Sequence, residues 1–353
     1  MVLGALAGPG SCPTVLAMKT PIPWAVPRTP FTIAQVAPLG VTERRLRTAL
    51  AEGRLTRLRQ GVYVAADAVP SDPVGLHLVR ALAEQVAAPG LVASHRTAAL
   101  AHGVPLLGSD REAAGPVELT RDDAAGRRSE RGARRTIHVG RLPDHHVTML
   151  PSGLAVTTPV RTAVDLAARC ALPEGLMALD AAARMALTDL CGSADPRHYG
   201  NARLRRAAVA PLVEAAGFLL VPGGTRRLAG ALAMVDVRRE SPLESYSCAH
   251  FHLAGLPEPV LQARVRSGGR TYRVDALWEA FGVVGEADGQ GKYGDSAAFV
   301  EEKLREQDLV DRGLVVVRWV GREMFARPQV VVDRVSRALL SRGWGGGGVQ
   351  PRR

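Results

Sequence analysis

The sequence predicts an α/β protein in which a small helical unit precedes an α-rich middle domain and a C-terminal α/β domain. Three observations predict this order. A helical pattern is followed by a hairpin pattern in residues 31–65, apolar residues recur at helical spacing through much of the middle, and strand-like alternation returns after Ser241. A chain of 353 residues is long enough for about two or three domains.

The composition favours an anionic partner. The chain has 45 Lys and Arg against 34 Asp and Glu, which gives a net charge of +11. A basic excess of this size is typical of nucleic-acid-binding proteins, although an Arg-rich coding bias that only increases solubility is the alternative. Aromatic residues make up only 4% of the chain, which argues against a surface that stacks the bases of single strands.

The sequence predicts a cytoplasmic protein with no membrane partner. The cysteines lack CxxC spacing, so we expect reduced thiols. No apolar run reaches the roughly 18–20 residues of a membrane helix. Residues 1–28 lack the charged and apolar segments of a signal peptide and are expected to form a disordered leader. The cysteines are Cys12, Cys170, Cys191 and Cys248.

Residues 29–68 are predicted to fold as a winged helix-turn-helix. Leu46 and Ala49 give the second helix a buried stripe, and Thr42 precedes this helix as an N-cap. A hairpin turn is indicated at Gln60-Gly61. The predicted elements are a helix at 31–37, a turn at 38–40, a helix at 43–50 and a strand pair at 55–64.

Arginines are concentrated in this unit. A helix-turn-helix contacts base edges and phosphates with the first turns of its second helix, and the planar fork of Arg can grip guanine or a phosphate. A solvated charged surface is the alternative interpretation. The residues predicted to bind DNA are Arg44, Arg45 and Arg47 on the helix and Arg57 and Arg59 on the wing.

The N-terminal and middle segments resemble AbiEi-family antitoxins. These are transcriptional regulators of type IV toxin–antitoxin systems, so the resemblance implies double-stranded DNA, the promoter of a cognate toxin or that toxin itself as partners. The segments similar to the family are Phe31–Gln35, Gly40–Thr42 and Gly53–Tyr63 in the N-terminal domain, and Ser94–Leu100 and Thr157–Ala167 in the middle region.

The middle domain, residues 69–240, is predicted to be rich in α-helix. A polar stretch at 121–135 lies between two short strands and is expected to be a mobile loop. Helices are predicted at 72–87, 94–100, 157–168 and 172–186, and strands at 116–120 and 136–139.

Two groups of polar residues in this domain have side chains that occur in catalytic or metal sites. Ser94, His95 and Asp165 do not suit a catalytic triad, because neighbouring residues on a helix point apart and no nucleophile elbow surrounds the serine. A helix cap and a surface histidine are the preferred interpretation. His145-His146 lacks a spaced third ligand, which favours an ordinary loop over a metal site.

Residues 241–340 are predicted to form an α/β domain. Ser241 is placed to cap a helix that Gly255 ends. The predicted order is a helix at 242–254, strands at 260–265, 272–278 and 282–286, a helix at 296–311, a strand at 314–319 and a flexible tail at 341–353.

Carboxylates are placed where two neighbouring strands of this domain can bring them together. Asp275 lies on one strand, and Glu286 and Asp288 lie two residues apart at the end of the next, so they face the same side. Hard oxygen ligands suit Mg²⁺ or Mn²⁺, and such an ion can activate water and stabilise phosphoryl transfer. Glu244, on the preceding helix, could complete the ligand shell, and Lys292 could steady a phosphate.

This domain resembles the PD-(D/E)XK nucleases, particularly the Vsr-like endonuclease domains of unknown function. The resemblance implies a restriction-endonuclease-like fold that uses Asp275, Glu286, Asp288 and Lys292 for catalysis. The usual Glu-x-Lys is here Glu286-Ala287-Asp288, so either Lys292 replaces the lysine or the domain binds metal without cutting. The similar segments are Ser241–Glu244, Gly255–Pro257, Val274-Asp275, Glu286–Gly289, Lys292-Tyr293, Glu302–Arg305, Leu309, Gly313 and Val316–Trp319.

Two functions from different classes follow. The first is an antitoxin-like transcriptional regulator that binds DNA. The alternative is a Mg²⁺-dependent DNA endonuclease directed by the winged helix. A third hypothesis is a protein that neutralises a toxin through its middle domain. All three leave the recognised DNA sequence and the oligomeric state open.

Overall fold

A mixed α/β architecture is seen in the computed structural model, which describes residues 24–122, 128–193, 195–219, 224–289 and 296–346. Within these ranges the strands form three separate sheets. No helix in the same ranges is both long and apolar enough to cross a membrane. Lys292, most of the predicted leader, residues 123–127 of the predicted loop and the end of the predicted tail lie outside the described residues.

The N-terminal unit has the predicted order of helix, turn, helix and hairpin, except that Phe31–Thr32, predicted to begin the first helix, forms a strand. Its sheet has the strand order β1-β3-β2. Gly40 has a φ of 74° between the two helices, a backbone conformation that glycine adopts without strain. Leu46 and Ala49 pack into the core of the unit beside Phe31. The elements are β1 (Phe31–Thr32), α1 (Ile33–Val36), a 3-10 turn (Ala37–Leu39), α2 (Glu43–Ala51), β2 (Leu55–Arg59) and β3 (Val62–Ala65).

Residues 24–28 pack on this unit, which corrects the predicted end of the leader at residue 28. The ring of Trp24 meets that of Phe31 edge-on, with 5.9 Å between ring centres. The backbone N–H of Ala65 donates to the carbonyl oxygen of Pro27 at 3.1 Å. A tryptophan buries a large apolar surface, so its presence in the supposed leader favours a docked segment.

The prediction of an α-rich middle domain is wrong for residues 91–157, because their strands form a mixed sheet of order β6-β7-β5-β4-β9-β8. Only two of these strands were predicted, since strands of two or three residues are too short to show alternation. The strands are β4 (Leu91–Ala93), β5 (Val117–Asp122), β6 (Glu130–Arg131), β7 (Arg135–Gly140), β8 (Val147–Met149) and β9 (Ala155–Thr157). The helices are α3 (Pro73–Ala87), α4 (His95–His102) and α5 (Ser109–Ala114).

The helical prediction holds for the rest of the middle domain. Small residues, mostly alanine, let these helices pack closely around a core that includes Leu179 and Leu212. A buried ion pair between Asp180 and Arg239, with 2.6 Å between Oδ2 and Nε, ties the domain to the chain that leads into the C-terminal domain. The helices are α6 (Pro159–Ala167), α7 (Leu172–Cys191), α8 (Ala202–Ala216) and α9 (Gly224–Ala233).

The C-terminal domain contains each predicted helix and strand within two residues of its predicted bounds. Its sheet has the order β10-β11-β12-β13. Strands β12 and β13 are parallel, and α11 connects them. Trp344, in the predicted tail, packs against the core of this domain. The elements are α10 (Pro242–Leu253), β10 (Val260–Ser267), β11 (Arg270–Trp278), β12 (Val283–Asp288), α11 (Ser296–Asp311), β13 (Val315–Val320), α12 (Gly321–Ala326) and α13 (Pro328–Ser341).

Candidate functional site

The second helix of the N-terminal unit presents arginines to solvent. The side chain of Thr42 accepts a hydrogen bond from the backbone N–H of Arg45 at 3.3 Å and so caps α2. Because Leu46 and Ala49 face the core, Arg44 and Arg47 lie on the opposite, exposed side. The two exposed arginines are three residues apart and therefore neighbours on one helix face.

The arginines of the hairpin differ in their surroundings. Arg57 is exposed on β2 and lies opposite Tyr63 of β3. Arg59, at the end of β2, forms an ion pair with Glu84 of α3, with 2.5 Å between Nη1 and Oε2. Arg135 contacts the same Glu84 oxygen at 2.7 Å. The predicted DNA-binding residue Arg59 is therefore already held by a carboxylate in the folded chain.

A second region with chemical groups is a cleft of about 1450 Å³ in the C-terminal domain. Its walls come from α10, β10, β11, β12, α11, β13 and α12. Lys292 lies outside the described residues. The predicted site residues that line the cleft are Glu244, Asp275, Glu286 and Asp288.

Asp275 and Glu286 are neighbours across the β11–β12 pair. Ala276 lies opposite Gly285 in the antiparallel register, which places the next residues of the two strands side by side. Asp275 Oδ2 accepts a hydrogen bond from the backbone N–H of Ala287 at 2.9 Å. A Cβ at Gly285 would lie 3.0 Å from the rings of Trp278 and Trp319, so the sheet packs tightly just before Glu286.

Burial and mutual repulsion perturb these acids. Burial, together with the negative charge of Asp275, raises the pKa of Glu286 to about 7. Burial also raises the pKa of Asp275 itself. Carboxyls with raised pKa values in a cleft are typical of functional sites, although structural ion-pair networks produce them as well.

Glu244 combines a structural and a possible chemical role. It lies in the first turn of α10, where its N–H donates to the capping Oγ of Ser241 at 3.1 Å and its Oε2 accepts from the N–H of Glu240 at 3.0 Å. This arrangement stabilises the start of the helix. Burial, with the charge of Asp275, raises the pKa of Glu244 to about 7.

Two arginines that the sequence analysis placed in similar segments but did not name as site residues hold the acids of the cleft. Arg305 of α11 donates from Nη2 to Glu286 Oε1 at 2.6 Å. Arg318 of β13 donates from Nη1 to Asp288 Oδ1 at 3.2 Å and also bonds Glu302. Their long separation along the chain from Glu286 and Asp288 gives no periodic pattern by which sequence analysis could have paired them.

Gln262 is a further cleft residue that sequence analysis missed. Its φ of 52° is unusual for a residue other than glycine and costs backbone strain. Its side-chain amide donates to Glu244 Oε2 at 3.1 Å. A hydrogen bond from the same amide also lowers the pKa of Asp275, in opposition to burial. The strained backbone therefore places one amide against two of the acids.

The donor chemistry of the cleft fits Mg²⁺ or Mn²⁺, because carboxylate oxygens are their preferred ligands. The carboxylate oxygens of the cleft lie farther apart than the ligands of a single bound ion. Among the residues that the structure describes, no three of the cleft acids bring oxygens within 4.8 Å of one another. An ion would draw the acids together and compete with Arg305 and Arg318 for Glu286 and Asp288.

The polar residues of the middle domain are arranged differently from prediction. Ser94 Oγ lies 2.9 Å from His95 Nδ1, so the two side chains do not point apart. The left-handed backbone of His95, with a φ of 49°, begins α4 here, and its ring is buried against that of His138. The prediction of a surface histidine is therefore wrong. Ser94 is buried and Asp165 is bonded to Arg161, which agrees with the rejection of a catalytic triad.

His145-His146 has a third partner that sequence analysis did not find. This partner is Glu214 of α8. Its Oε1 lies 3.1 Å from Nε2 of His145, and its Oε2 lies 2.9 Å from Nε2 of His146. The premise that these histidines lack a third ligand is corrected, because residues distant in sequence meet when α8 packs beside the 3-10 turn at Asp144–His146.

One family of known proteins matches the N-terminal unit. Residues 28–66 match the profile of a family described as transcriptional regulators, AbiEi antitoxin. The matched residues include the two helices and the hairpin of the unit. These elements carry the predicted DNA-binding residues Arg44, Arg45, Arg47, Arg57 and Arg59. The similarity to this family is shown for residues 28–66.

Two uncharacterized proteins of Mycobacterium tuberculosis strains, MT2308 and Rv2248, are similar over most of their length. Each is 26% identical over 304 residues, which cover 85% of this chain and 97% of the relative. The crystal structure of the Rv2827c protein of M. tuberculosis aligns with a TM-score of 0.30 and 15% identity, covering 59% of this chain and 76% of that one.

Proposed function

We propose that the protein is a DNA-binding transcriptional regulator whose N-terminal unit is a winged helix-turn-helix. The match of residues 28–66 to AbiEi regulators is the observation that supports this most directly. Arg44 and Arg47 are exposed on the second helix, where such units contact bases and phosphates. Arg57 is exposed on the hairpin, where phosphate contact is the usual role.

A salt titration of duplex binding tests the proposal. If Arg44 and Arg57 each neutralise one phosphate, the double variant Arg44→Ala/Arg57→Ala flattens the slope of log affinity against log salt by about 1.8, at about 0.9 per contact. Arg203→Ala/Arg206→Ala is a matched control, since both residues are exposed on α8 and the same charge is removed. Equal effects in the two double variants would contradict the proposed surface.

We extend the proposal to an antitoxin-like regulator of a type IV toxin–antitoxin system. The AbiEi match supports this extension, and the middle domain would then be available to a toxin or to a second copy of the chain. Binding to DNA from upstream of the protein's own gene, compared with a scrambled duplex at the same salt concentration, is the measurement. A specific regulator prefers its site by at least about 10³-fold. Equal affinities would refute sequence-specific regulation.

A DNA endonuclease is the second candidate, and one observation favours it. Glu244 and Glu286, both with pKa values raised to about 7, line one cleft with Asp275. We propose that these acids and Asp288 would hold Mg²⁺ or Mn²⁺, with Lys292 steadying the phosphate. When bound, the ion would stabilise charge on the reacting phosphate. The winged helix would deliver the duplex to the cleft.

Plasmid nicking in Mg²⁺, Mn²⁺ and EDTA tests the second candidate. Asp275→Asn and Glu286→Gln should each slow cleavage by at least about 100-fold, because a lost metal ligand removes several kcal/mol of transition-state stabilisation. Glu279→Gln, at an exposed acid of the same domain, should have no effect. If the wild-type protein binds DNA but nicks it in neither metal, the regulator is the whole function. Cleavage that persists in both variants would assign it to another centre.

A further inference from the structure

His145, His146 and Glu214 form a compact group of metal-ligating side chains outside both sites described above. Their ligand atoms all lie within 4.8 Å of one another. Each imidazole directs its Nε2 at a different oxygen of the Glu214 carboxylate, at 3.1 and 2.9 Å. The two histidines are adjacent in sequence, and both face the carboxylate of Glu214 on a different element. The three side chains are therefore already grouped as ligands before any ion binds.

The distances are close to those of a tetrahedral zinc ion. Zinc bonds to imidazole nitrogen and carboxylate oxygen at about 2.0–2.1 Å, which separates neighbouring ligand atoms by about 3.3 Å. The two nitrogen–oxygen distances, 3.1 and 2.9 Å, are within a few tenths of an ångström of this value, and all three ligand atoms lie within 4.8 Å of one another. Two imidazoles and one carboxylate suit zinc better than Mg²⁺, which prefers oxygen ligands alone.

The surroundings hold one ligand rigidly and leave the other side open. His146 is buried, and the ring of Phe218 packs edge-on against it, with 5.3 Å between ring centres. The side chains of His145 and Glu214 are 63% and 46% exposed, so an ion can enter from solvent and keep water in a fourth position.

The neighbouring Arg161 does not block the site. Nε2 ligation leaves the proton of His146 on Nδ1, which lies 3.4 Å from Arg161 Nη1. That contact is the longest of the guanidinium's hydrogen bonds, since Nη1 also donates to the carbonyl of Arg141 at 2.8 Å and Nε donates to Asp165 at 2.9 Å. With its proton on Nδ1, His146 cannot accept from Arg161, so zinc binding gives up this long contact while the guanidinium keeps its hydrogen bonds to Arg141 and Asp165.

We propose that His145, His146 and Glu214 bind one zinc ion that clips the turn before β8 to helix α8. The clip joins the edge of the middle sheet to the helical part of the same domain, between residues 68 positions apart in sequence. Closing so long a loop in the unfolded chain is entropically costly, so a bound ion stabilises the folded state.

Zinc binding by the untagged full-length chain, measured by calorimetry with metal analysis after dialysis, tests the proposal. We expect one equivalent in the wild-type protein and in Asp275→Asn, which separates this site from the cleft. His145→Ala and Glu214→Gln should weaken binding by more than about tenfold, as loss of a ligand outweighs the 10–100-fold effect of losing a supporting residue. His252→Ala is the matched control, at an exposed histidine of α10, and should bind as the wild type.

Two results would overturn the proposal. Absence of zinc binding at micromolar protein, with a folded wild-type chain, would mean that the three residues form a hydrogen-bonded group only. Binding that survives in both His145→Ala and Glu214→Gln would place the ion elsewhere. Circular dichroism of each variant establishes that a loss of binding is not a loss of fold, and His145→Ala is suited to this because its side chain is exposed.

Discussion

Arginine occupies two different settings at the two ends of this chain. On α2 and β2, Arg44, Arg47 and Arg57 are exposed to solvent. In the C-terminal cleft, Arg305 and Arg318 form ion pairs with Glu286 and Asp288. Arginine side chains are therefore open to solvent in the N-terminal unit. In the C-terminal cleft they are bound by carboxylates of the protein itself.

The difference shows that net charge alone does not locate a DNA-binding surface. The excess of +11 counts every arginine equally, yet an arginine already paired with a carboxylate must exchange that partner before it binds a phosphate. The N-terminal set is available for phosphate contact at little cost. The cleft set instead neutralises acids that would otherwise be buried with like charge.

Removal of a cleft arginine should therefore cost far more stability than removal of an exposed one. Arg305→Ala leaves the carboxylate of Glu286 buried without its partner, and we expect a loss of about 2–3 kcal/mol at pH 8. Arg44→Ala should change the free energy of unfolding by less than about 0.5 kcal/mol. Urea denaturation of both variants measures this. Comparable losses would show that the cleft ion pair contributes no more than surface charge.

The acids of the cleft should make stability depend on pH. Glu244 and Glu286 have folded-state pKa values raised from 4.5 to about 7, so between these values the folded protein holds more protons than the unfolded chain. Stability therefore falls as the pH rises through this window, by on the order of 3 kcal/mol for each acid in the absence of metal. Denaturation from pH 5 to pH 8 measures it, and Glu286→Gln should flatten the profile. If the stability of the wild-type protein rose over that range, the pKa values of Glu244 and Glu286 would not be raised by burial in the folded protein.

Divalent metal should reverse part of this cost. If Mg²⁺ or Mn²⁺ binds the acids at about ten times its dissociation constant, it stabilises the fold by about 1.4 kcal/mol. The melting temperature should rise more at pH 8 than at pH 6, because protons compete with the ion for the same oxygens. Asp275→Asn should abolish the rise. If millimolar metal does not change the melting temperature of the wild-type protein, the cleft does not bind the ion.

The sequence predicted elements better than it predicted partners. The helices and strands of the C-terminal domain follow from periodicity and capping, and Asp275 and Glu286 fell on adjacent strands as expected. Strands of three residues such as Leu91–Ala93 lack enough alternation to be recognised. The contacts of Glu286 with Arg305 and of His146 with Glu214 depend on how helices pack, and no local pattern encodes them.

Arg59 provides the finest test of the difference between the two settings. It lies on the predicted DNA-binding hairpin, yet it resembles the cleft arginines because Glu84 holds it at 2.5 Å. If that ion pair persists on DNA, Arg57→Ala flattens the log–log salt slope by about 0.9 and Arg59→Ala leaves it unchanged. The loss of stability in Arg59→Ala should be below about 1 kcal/mol, because Arg135 continues to pair with Glu84. Equal slope changes in the two variants would instead mean that phosphate displaces Glu84, which would couple DNA binding to the contact between the hairpin and α3.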